Sequence, residues 1–443
     1  MNTVFFAIVA VAFVFAAGHQ LFGGPAEGDT APIQELSRAV VDSAGGAVEL
    51  AIGLIGVMTL FLGLMKVAEK GGLLQVISRL LRPLMVRLFP DVPADHPAMG
   101  AMILNMSANA LGLGNAATPF GIRAMQELDK LNTRKGTATN AMALFLAINT
   151  SSITLLPTGV IALRASAGSA DPAGILPTTL FATLGSSIVG IAAAKLYQRF
   201  SDPGPPVDEG GLQTDENPNP DAGQSPGAAG DDGDEQIMLD EASRGYPMWV
   251  SLAALCGVVV IIPLAIVYGQ VISPWIIPGL VVGFLTYGMI RRVRIYEVFV
   301  DGAKEGFQVA VKIIPYLVAI LVAVGMFRAS GALEAMVSLL GPWTSKIGLP
   351  ADALPMALLR PLSGSGAYGV LASIINDPSV GPDSYVGFLV STLQGSTETT
   401  FYVLAVYFGA VQVRRVRHTM AAALTADAAG IMFAVLACSL FLR

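Results

Sequence analysis

The sequence predicts an all-α polytopic membrane protein made of two inverted repeats. Each repeat is expected to hold a re-entrant hairpin and a transmembrane helix interrupted by polar residues. Three observations carry this. The chain is 53% hydrophobic and only 13% charged, where a soluble domain carries about 25% charged residues. Apolar runs long enough to cross ~30 Å of hydrocarbon recur along it. Two polar stretches, Asn149-Thr150-Ser151-Ser152 and Gln394-Gly395-Ser396-Thr397-Glu398-Thr399-Thr400, fall inside such runs at matching places. Polar groups at membrane depth are expensive unless they line a cavity or pair with each other. One such stretch per half is the pattern of a solute site between transporter repeats.

In chain order, spans are expected at about 3–18, 47–65, 137–163, 175–197, 247–268, 271–290, 307–327, 385–412 and 417–442. The first run, Val4 to Ala17, reads as a retained helix. Ala16-Ala17-Gly18 would suit a cleavage site, but no Lys or Arg precedes the apolar core. Two further apolar stretches, 98–121 and 354–375, are broken. In the first, Gly112, Gly114 and Pro119 interrupt the helix, and Asn105, Asn109 and Asn115 offer amides to the freed backbone. In the second, Arg360-Pro361-Leu362-Ser363-Gly364-Ser365-Gly366 does the same. Half-helices meeting in mid-membrane expose N–H groups at one end and carbonyls at the other, so each break can bind ions. Segment 201–243 is rich in Pro, Gly, Asp and Glu and has almost no large apolar residues. It cannot bury enough surface to fold, and reads as a disordered cytoplasmic linker. The expected organisation is therefore a first repeat over 1–200, the linker over 201–243 and a second repeat over 244–443.

Lys and Arg set the orientation. With the N-terminus inside and both broken stretches as hairpins, the inside segments hold Lys66, Lys70, Arg79, Arg82, Arg87, Arg123, Lys130, Arg134, Lys135, Lys195, Arg199, Arg244, Arg291, Arg292, Arg294, Lys304, Arg414, Arg415 and Arg417. The outside segments hold Arg38, Arg164, Arg328, Lys346 and Arg443. Were the broken stretches to cross fully, the basic loops 123–135 and 195–199 would move outside, so the asymmetry favours hairpins.

The repeat can be read residue by residue. Gly72 to Pro83 aligns without gaps to Gly331 to Pro342, and Pro93-Ala94-Asp95 to Pro350-Ala351-Asp352. Ser107 to Gly112 is matched to Gly364 to Gly369, and Asn149 to Thr154 to Gln394 to Thr399. Five spans separate the equivalent helices that start near 47 and 307, and an odd number inverts the second copy.

Several function classes are excluded. There is no H-E-x-x-H, G-x-S-x-G, Walker loop or Cys-His nucleophile pair, so no enzyme and no cofactor is expected. Three His and two Cys leave little room for a metal cluster or a disulfide framework. The net charge of −6 comes largely from Asp202 to Glu241, and no basic patch suits nucleic acid.

The candidate solute or ion ligands are Asn105, Asn109, Asn115, Asn149, Thr150, Ser151, Ser152, Ser363, Ser365, Gln394, Ser396, Thr397, Glu398 and Thr399. Glu398 reads as the one acidic residue near the middle of a long span. Its equivalent in the first repeat is Ile153, so the fold does not need a carboxylate there. It can bind substrate, ligate Na⁺ or carry a proton, unless Arg360 or Lys312 neutralises it. Lys312 and Arg360 are otherwise read as snorkelling anchors, and Glu49 as interfacial.

At these residues the chain resembles a known family. The first half, with Asn105 through Gly121 and Asn149-Thr150-Ser151-Ser152, resembles spore maturation protein A. The second half, with Arg360 through Ala367 and Gln394 through Tyr402, looks like spore maturation protein B. The chain thus resembles a fusion of the two over nearly its whole length. The resemblance implies a nucleoside-recognition or gate domain, distantly similar to concentrative nucleoside carriers and to the membrane domain of ferrous-iron transporters. The nucleoside carriers have a Gln-Thr-Glu motif in a re-entrant hairpin. Here Gln394 and Thr397-Glu398 supply those residue types with Gly395-Ser396 between them.

The expected function is secondary transport of a small polar solute, nucleoside-like, amino-acid-like or an organic anion, through a midplane site between the repeats. Na⁺ or H⁺ is the expected coupling ion, and the lipid bilayer and the solute are the expected partners; a homo-oligomer is compatible with this. The expected location is the bacterial cytoplasmic (inner) membrane. The alternative is a non-transporting membrane partner or lipid-binding protein of cell-envelope or spore maturation.

Overall fold

The computed structural model describes residues 2–22, 31–112, 114–201 and 245–442. The expected linker beyond Ser201 and the side chains of Asn115 and Lys312 lie outside the described residues. Within them the chain forms α-helices and one isolated bridge, Thr137 to Arg415, with no extended sheet.

The first half opens with α1 (Asn2–Phe22) and the long α2 (Pro32–Lys70), which starts with proline where a missing N–H costs nothing. Next comes α3 (Leu73–Leu88), an amphipathic helix that buries Leu74, Ser78 and Met85. A hairpin of α4 (Pro97–Ala110) and α5 (Gly114–Lys130) follows. Then come α6 (Asn140–Ser151), α7 (Thr158–Ser166) and α8 (Leu176–Tyr197). The second half holds α9 (Met248–Ile290), α10 (Ile295–Ala329) and α11 (Ala332–Thr344). A second hairpin pairs α12 (Leu354–Leu359) with α13 (Gly364–Ile375). The chain ends with α14 (Tyr385–Ser396), α15 (Thr400–Gly409) and α16 (Thr419–Phe441).

Among the described helices, α1, α2, α8 and α16 are long and apolar enough to cross a membrane unaided. The expected spans 137–163 and 385–412 are each two short helices with a polar break between them. The expected spans 247–268 and 271–290 form one helical stretch instead. Nothing between Tyr268 and Ser273 carries a charge that would end the helix. A straight helix of 43 residues would hold its ends ~65 Å apart. Yet Tyr246, just before α9, donates its N–H to the Arg79 carbonyl at 3.0 Å, and Arg291, just after it, donates Nε to the Gly71 carbonyl at 2.7 Å. Both ends therefore meet the short segment 71–79, where α2 gives way to α3, and the stretch turns back on itself, as two spans would.

The helices α2 and α10 form the most extensive packing in the molecule, and they run antiparallel. Gly302 lies against Leu62 and Gly63, Gly306 against Met58 and Thr59, and Gly325 against Ser43. A Cβ on Gly302 would come within 2.7 Å of the Leu62 carbonyl, and on Gly306 within 2.8 Å of the Met58 carbonyl. Small residues are what let two membrane helices approach this closely.

Elements in the two halves correspond closely at first. Gly72 and Gly331 both precede a helix in the left-handed region, at φ 88° and 78°. Pro83 and Pro342 lie inside α3 and α11, and α4 and α12 both begin four residues after the matched prolines Pro93 and Pro350. The hairpins then diverge. The first turns at Leu111-Gly112, the second at Arg360 to Ser363. The sequence match of Ser107–Gly112 with Gly364–Gly369 is therefore out of register, because α4 has 14 residues and α12 has 6. Runs of small residues align with each other whether or not they occupy the same turn.

Loop contacts fall into two sets. On the side read as inside, Arg417 bonds the Ala138 and Ser201 carbonyls, Arg414 and Arg415 bond the Gly136 carbonyl, and Lys195 bonds the Leu88 carbonyl. On the side read as outside, Arg164 meets Asp383 at 2.9 Å and Arg328 meets Asp377 at 2.6 Å. Two apolar clusters occupy the corresponding levels. One gathers Phe61, Ile161, Leu371, Ile375, Leu389 and Val435, the other Met99, Met125, Phe145, Leu404 and Tyr407. The polar stretches of the two halves lie between them.

Candidate functional site

The first break begins at Ser152, whose φ of 42° is in the left-handed region that residues other than glycine rarely adopt. This stops α6 and frees its last carbonyls. Those are satisfied from α8: Thr183 donates Oγ1 to the Ser151 carbonyl at 3.1 Å and approaches the Ser152 carbonyl more closely still. Ser151 Oγ meets Ser187 Oγ at 3.0 Å, and Ser152 Oγ meets Thr154 Oγ1 at 2.7 Å. Asn149 donates Nδ2 to the Phe145 carbonyl and accepts from Asn109 Nδ2 at 3.0 Å. One helical turn earlier, Asn105 donates to the Ala117 carbonyl across the hairpin and to the Tyr407 hydroxyl at 3.1 Å. The Leu155 N–H bonds the Ala110 carbonyl at 2.9 Å, so the hairpin tip rests on the break.

The second break has the same plan with different chemistry. The helix α14 ends at Ser396, and Thr397 to Thr399 are extended. Arg360, in the hairpin turn, donates Nη1 to Thr399 Oγ1 at 3.0 Å and Nη2 to the Thr397 carbonyl. Its Nη2 also stands 3.7 Å from Glu398 Oε2. The Phe401 N–H bonds the Pro361 carbonyl at 3.1 Å, the counterpart of the Leu155–Ala110 bond. Ser363 caps α13 by accepting the Gly366 N–H at 3.0 Å, and Ser365 lies half-buried in the first turn of that helix.

The two breaks touch. The Glu398 N–H donates to the Thr150 carbonyl at 2.9 Å. The structure thus brings together Asn109, Asn149, Thr150, Ser151, Ser152, Thr397, Glu398 and Thr399, with Asn105 one turn away. Gln394 and Ser396 are buried beside them, and among the described residues Gln394 Oε1 and Ser396 Oγ, like Asn105 Oδ1, have no hydrogen-bond partner. Buried polar atoms are rarely left unpaired. The residues are packed against one another. Arg360 is 5% exposed, and 45% of the Glu398 side chain is accessible. A cavity of about 1080 Å³ lies elsewhere, between α1, α2, α10 and α13, and is lined by Glu35, Glu49 and Glu334.

Three residues at the site, Asp427, Thr183 and Ser187, have no counterpart among the sequence expectations, and of the two expectations for Arg360 the structure has the partner of Glu398. Arg360 is a buried partner of the break, not a snorkelling anchor. Glu398 is not the sole mid-span acid, because Asp427 on α16 is 5% exposed and accepts from Thr400 Oγ1 at 2.7 Å. Its surroundings, Ala-rich and free of other charges, were the available signal. Thr183 and Ser187 on α8 hold the first break. Their spacing with Thr179 and Ser186 puts all four on adjoining faces of one helix, a pattern visible in the sequence.

Comparison with known proteins places the chain. The family described as Gate, nucleoside recognition, matches residues 51–167 and 310–414, half of the chain. Spore maturation protein A of Bacillus subtilis (strain 168) is 47% identical over 165 residues, covering 37% of this chain and 84% of that protein. Spore maturation protein B of the same organism is 48% identical over 160 residues, covering 36% of this chain and 89% of that protein. Inner membrane protein YjiG of Escherichia coli (strain K12) is 31% identical over 84 residues, 19% of this chain and 55% of that protein. A solved structure of CNTnw in an outward-facing state aligns with 98% of this chain and 85% of its own, at 14% identity and a TM-score of 0.45. The chain is a multi-pass membrane protein and belongs to the Gate, or nucleoside recognition, family.

Proposed function

We propose that the protein is a secondary transporter of the bacterial inner membrane, carrying a small polar solute through a site where the two breaks meet. The observation that carries this reading is the Glu398–Thr150 backbone bond. Each half contributes an interrupted helix, and the interruptions face each other at the level between the two apolar clusters. Non-helical backbone at membrane depth is tolerated only where it is enclosed by protein or lines a path. The antiparallel α2–α10 pair supports an inverted relation between the halves, which in transporters puts the site at the repeat interface.

The accessible Glu398 carboxylate, the Arg360 guanidinium behind it and the amides of Asn109, Asn149 and Gln394 suit a solute with several hydrogen-bonding groups. The family description favours a nucleoside-like solute. The likeness to spore maturation proteins supports a second reading, a membrane partner that transports nothing. A melting screen of the purified protein against nucleosides, amino acids, organic anions and metals finds the ligand, because binding to the folded state raises apparent stability. Uptake of that ligand into proteoliposomes then separates the readings. Binding without uptake leaves the partner reading standing.

A further inference from the structure

Three ionisable side chains meet at the second break. Arg360 contributes one positive charge, and Glu398 and Asp427 contribute two carboxyl groups. Glu398 is partly accessible and 3.7 Å from the guanidinium. Asp427 has a different setting. Its Oδ2 accepts one bond, from the neutral Thr400 hydroxyl, and its Oδ1 has no partner. A cavity of about 10 Å³ lies between Arg360, Thr397 and Asp427, walled by Leu393 and Ile431. That is room for about one water molecule. Among the described residues Arg360 Nε, like Asp427 Oδ1, has no hydrogen-bond partner.

The charge balance follows from the elements packed around Asp427. The helices α6 and α12 hold no titratable group; on α8 Lys195 bonds the Leu88 carbonyl and the Tyr197 hydroxyl meets Thr425 Oγ1 at 3.1 Å, and on α14 Tyr385 reaches Ser439 near the other end of α16. Among the described residues, the neighbouring elements also carry the neutral phenols of Tyr368, Tyr402 and Tyr407, and α16 has His418 and Cys438 near its ends. With both carboxyls ionised the break would carry one net negative charge, with the Asp427 carboxylate buried, which is costly. One proton or one monovalent cation restores neutrality. A metal cation would need several oxygen ligands beside a guanidinium that repels it. A proton needs only the carboxyl.

We propose that Asp427 is a proton-binding site, with Arg360 shared between it and Glu398. When Asp427 holds a proton, Arg360 is left to Glu398. When the proton passes to water, the Asp427 carboxylate draws Arg360 across the small cavity. Glu398 is then open to a cationic or hydrogen-bond-donating part of the solute. The coupling role rests on the transport reading above; the proton site itself does not.

The test uses the full chain in lipid nanodiscs and no solute. Infrared spectra are recorded against pH with carbon-13 aspartate labelling, on wild type and Asp427→Asn. We expect a protonated-carboxyl band at neutral pH that shifts with the label, fades as pH rises and is absent from the variant. The unfolded chain gives up its Asp protons at acidic pH, so a proton kept only in the folded state stabilises less as pH rises. The wild-type melting temperature should fall through that range. Asn mimics the protonated acid, so the variant should melt independently of pH there, and no lower than wild type at alkaline pH. Absence of a labelled band from wild type overturns the proposal. So does a variant that melts lower at every pH, the mark of a fixed Arg360–Asp427 ion pair. So does stabilisation of wild type, but not the variant, when Na⁺ replaces choline. If the band is present and no solute is ever taken up, the transport reading fails and the proton site stands.

Discussion

The two breaks solve one backbone problem with opposite chemistry. In the first, the carbonyls freed at Ser151 and Ser152 are met by Thr183, and the side chains around them are amides and hydroxyls. In the second, the carbonyl freed at Thr397 is met by a guanidinium, with two carboxyl groups close by. Neutral donors suffice to hold such a break, since the first half manages with them. The charges of the second half therefore exceed what the fold requires, and they are where ion and solute chemistry can reside. A hydroxyl deletion and a charge deletion should accordingly differ in both size and kind.

The largest effect is expected from Arg360→Gln. It removes the donor to the Thr399 hydroxyl and to the buried Thr397 carbonyl and takes the cation from Glu398, so stability should fall by about 2–5 kcal/mol. Denaturation in detergent, followed by tryptophan fluorescence, reads this. Thr183→Val keeps the shape but leaves two carbonyls of the first break short of a donor, at about 1–3 kcal/mol. A larger loss from Thr183→Val than from Arg360→Gln would break the comparison. Glu398→Gln should change stability by no more than about 1 kcal/mol, because the side chain is partly exposed and its pair is long. It should nevertheless abolish coupled uptake.

The smallest effect lies outside both breaks. Burial would raise the Asp377 carboxyl, but hydrogen bonds from Ser379 and the Arg328 guanidinium prevail and hold it below the ordinary carboxylate value. Its contribution is therefore present above that ordinary value and is lost as pH falls through the depressed one. Asp377→Asn should cost a few tenths of a kcal/mol at neutral pH and less in acid. A melting series between neutral pH and strong acid checks the sign.

What the sequence reveals follows from how local each signal is. The polar stretches stood out because their neighbours are uniformly apolar, and Gly72 and Gly331 align because a left-handed turn demands glycine in both halves. The hairpin register did not, because Ala, Gly and Ser repeat too evenly to fix it. For Arg360 the sequence leaves two readings, an anchor and a partner of Glu398, for a physical reason. An arginine near a proline in an apolar run looks like an anchor, and only the fold shows that residue 397 lies within its reach. Asp427 and Thr183 stand out as polar positions in apolar spans, but nothing local to them says that they meet the breaks.

The central claim is that the charged break carries a coupled solute. It is tested most directly by uptake into proteoliposomes, using the ligand found in the melting screen, under an imposed inward proton or Na⁺ gradient. Wild type and Glu398→Gln are compared at equal reconstitution. Wild type should accumulate the ligand under the gradient and the variant should not, with the variant still folded. Equal uptake by both, with the same ion and pH dependence, would contradict it.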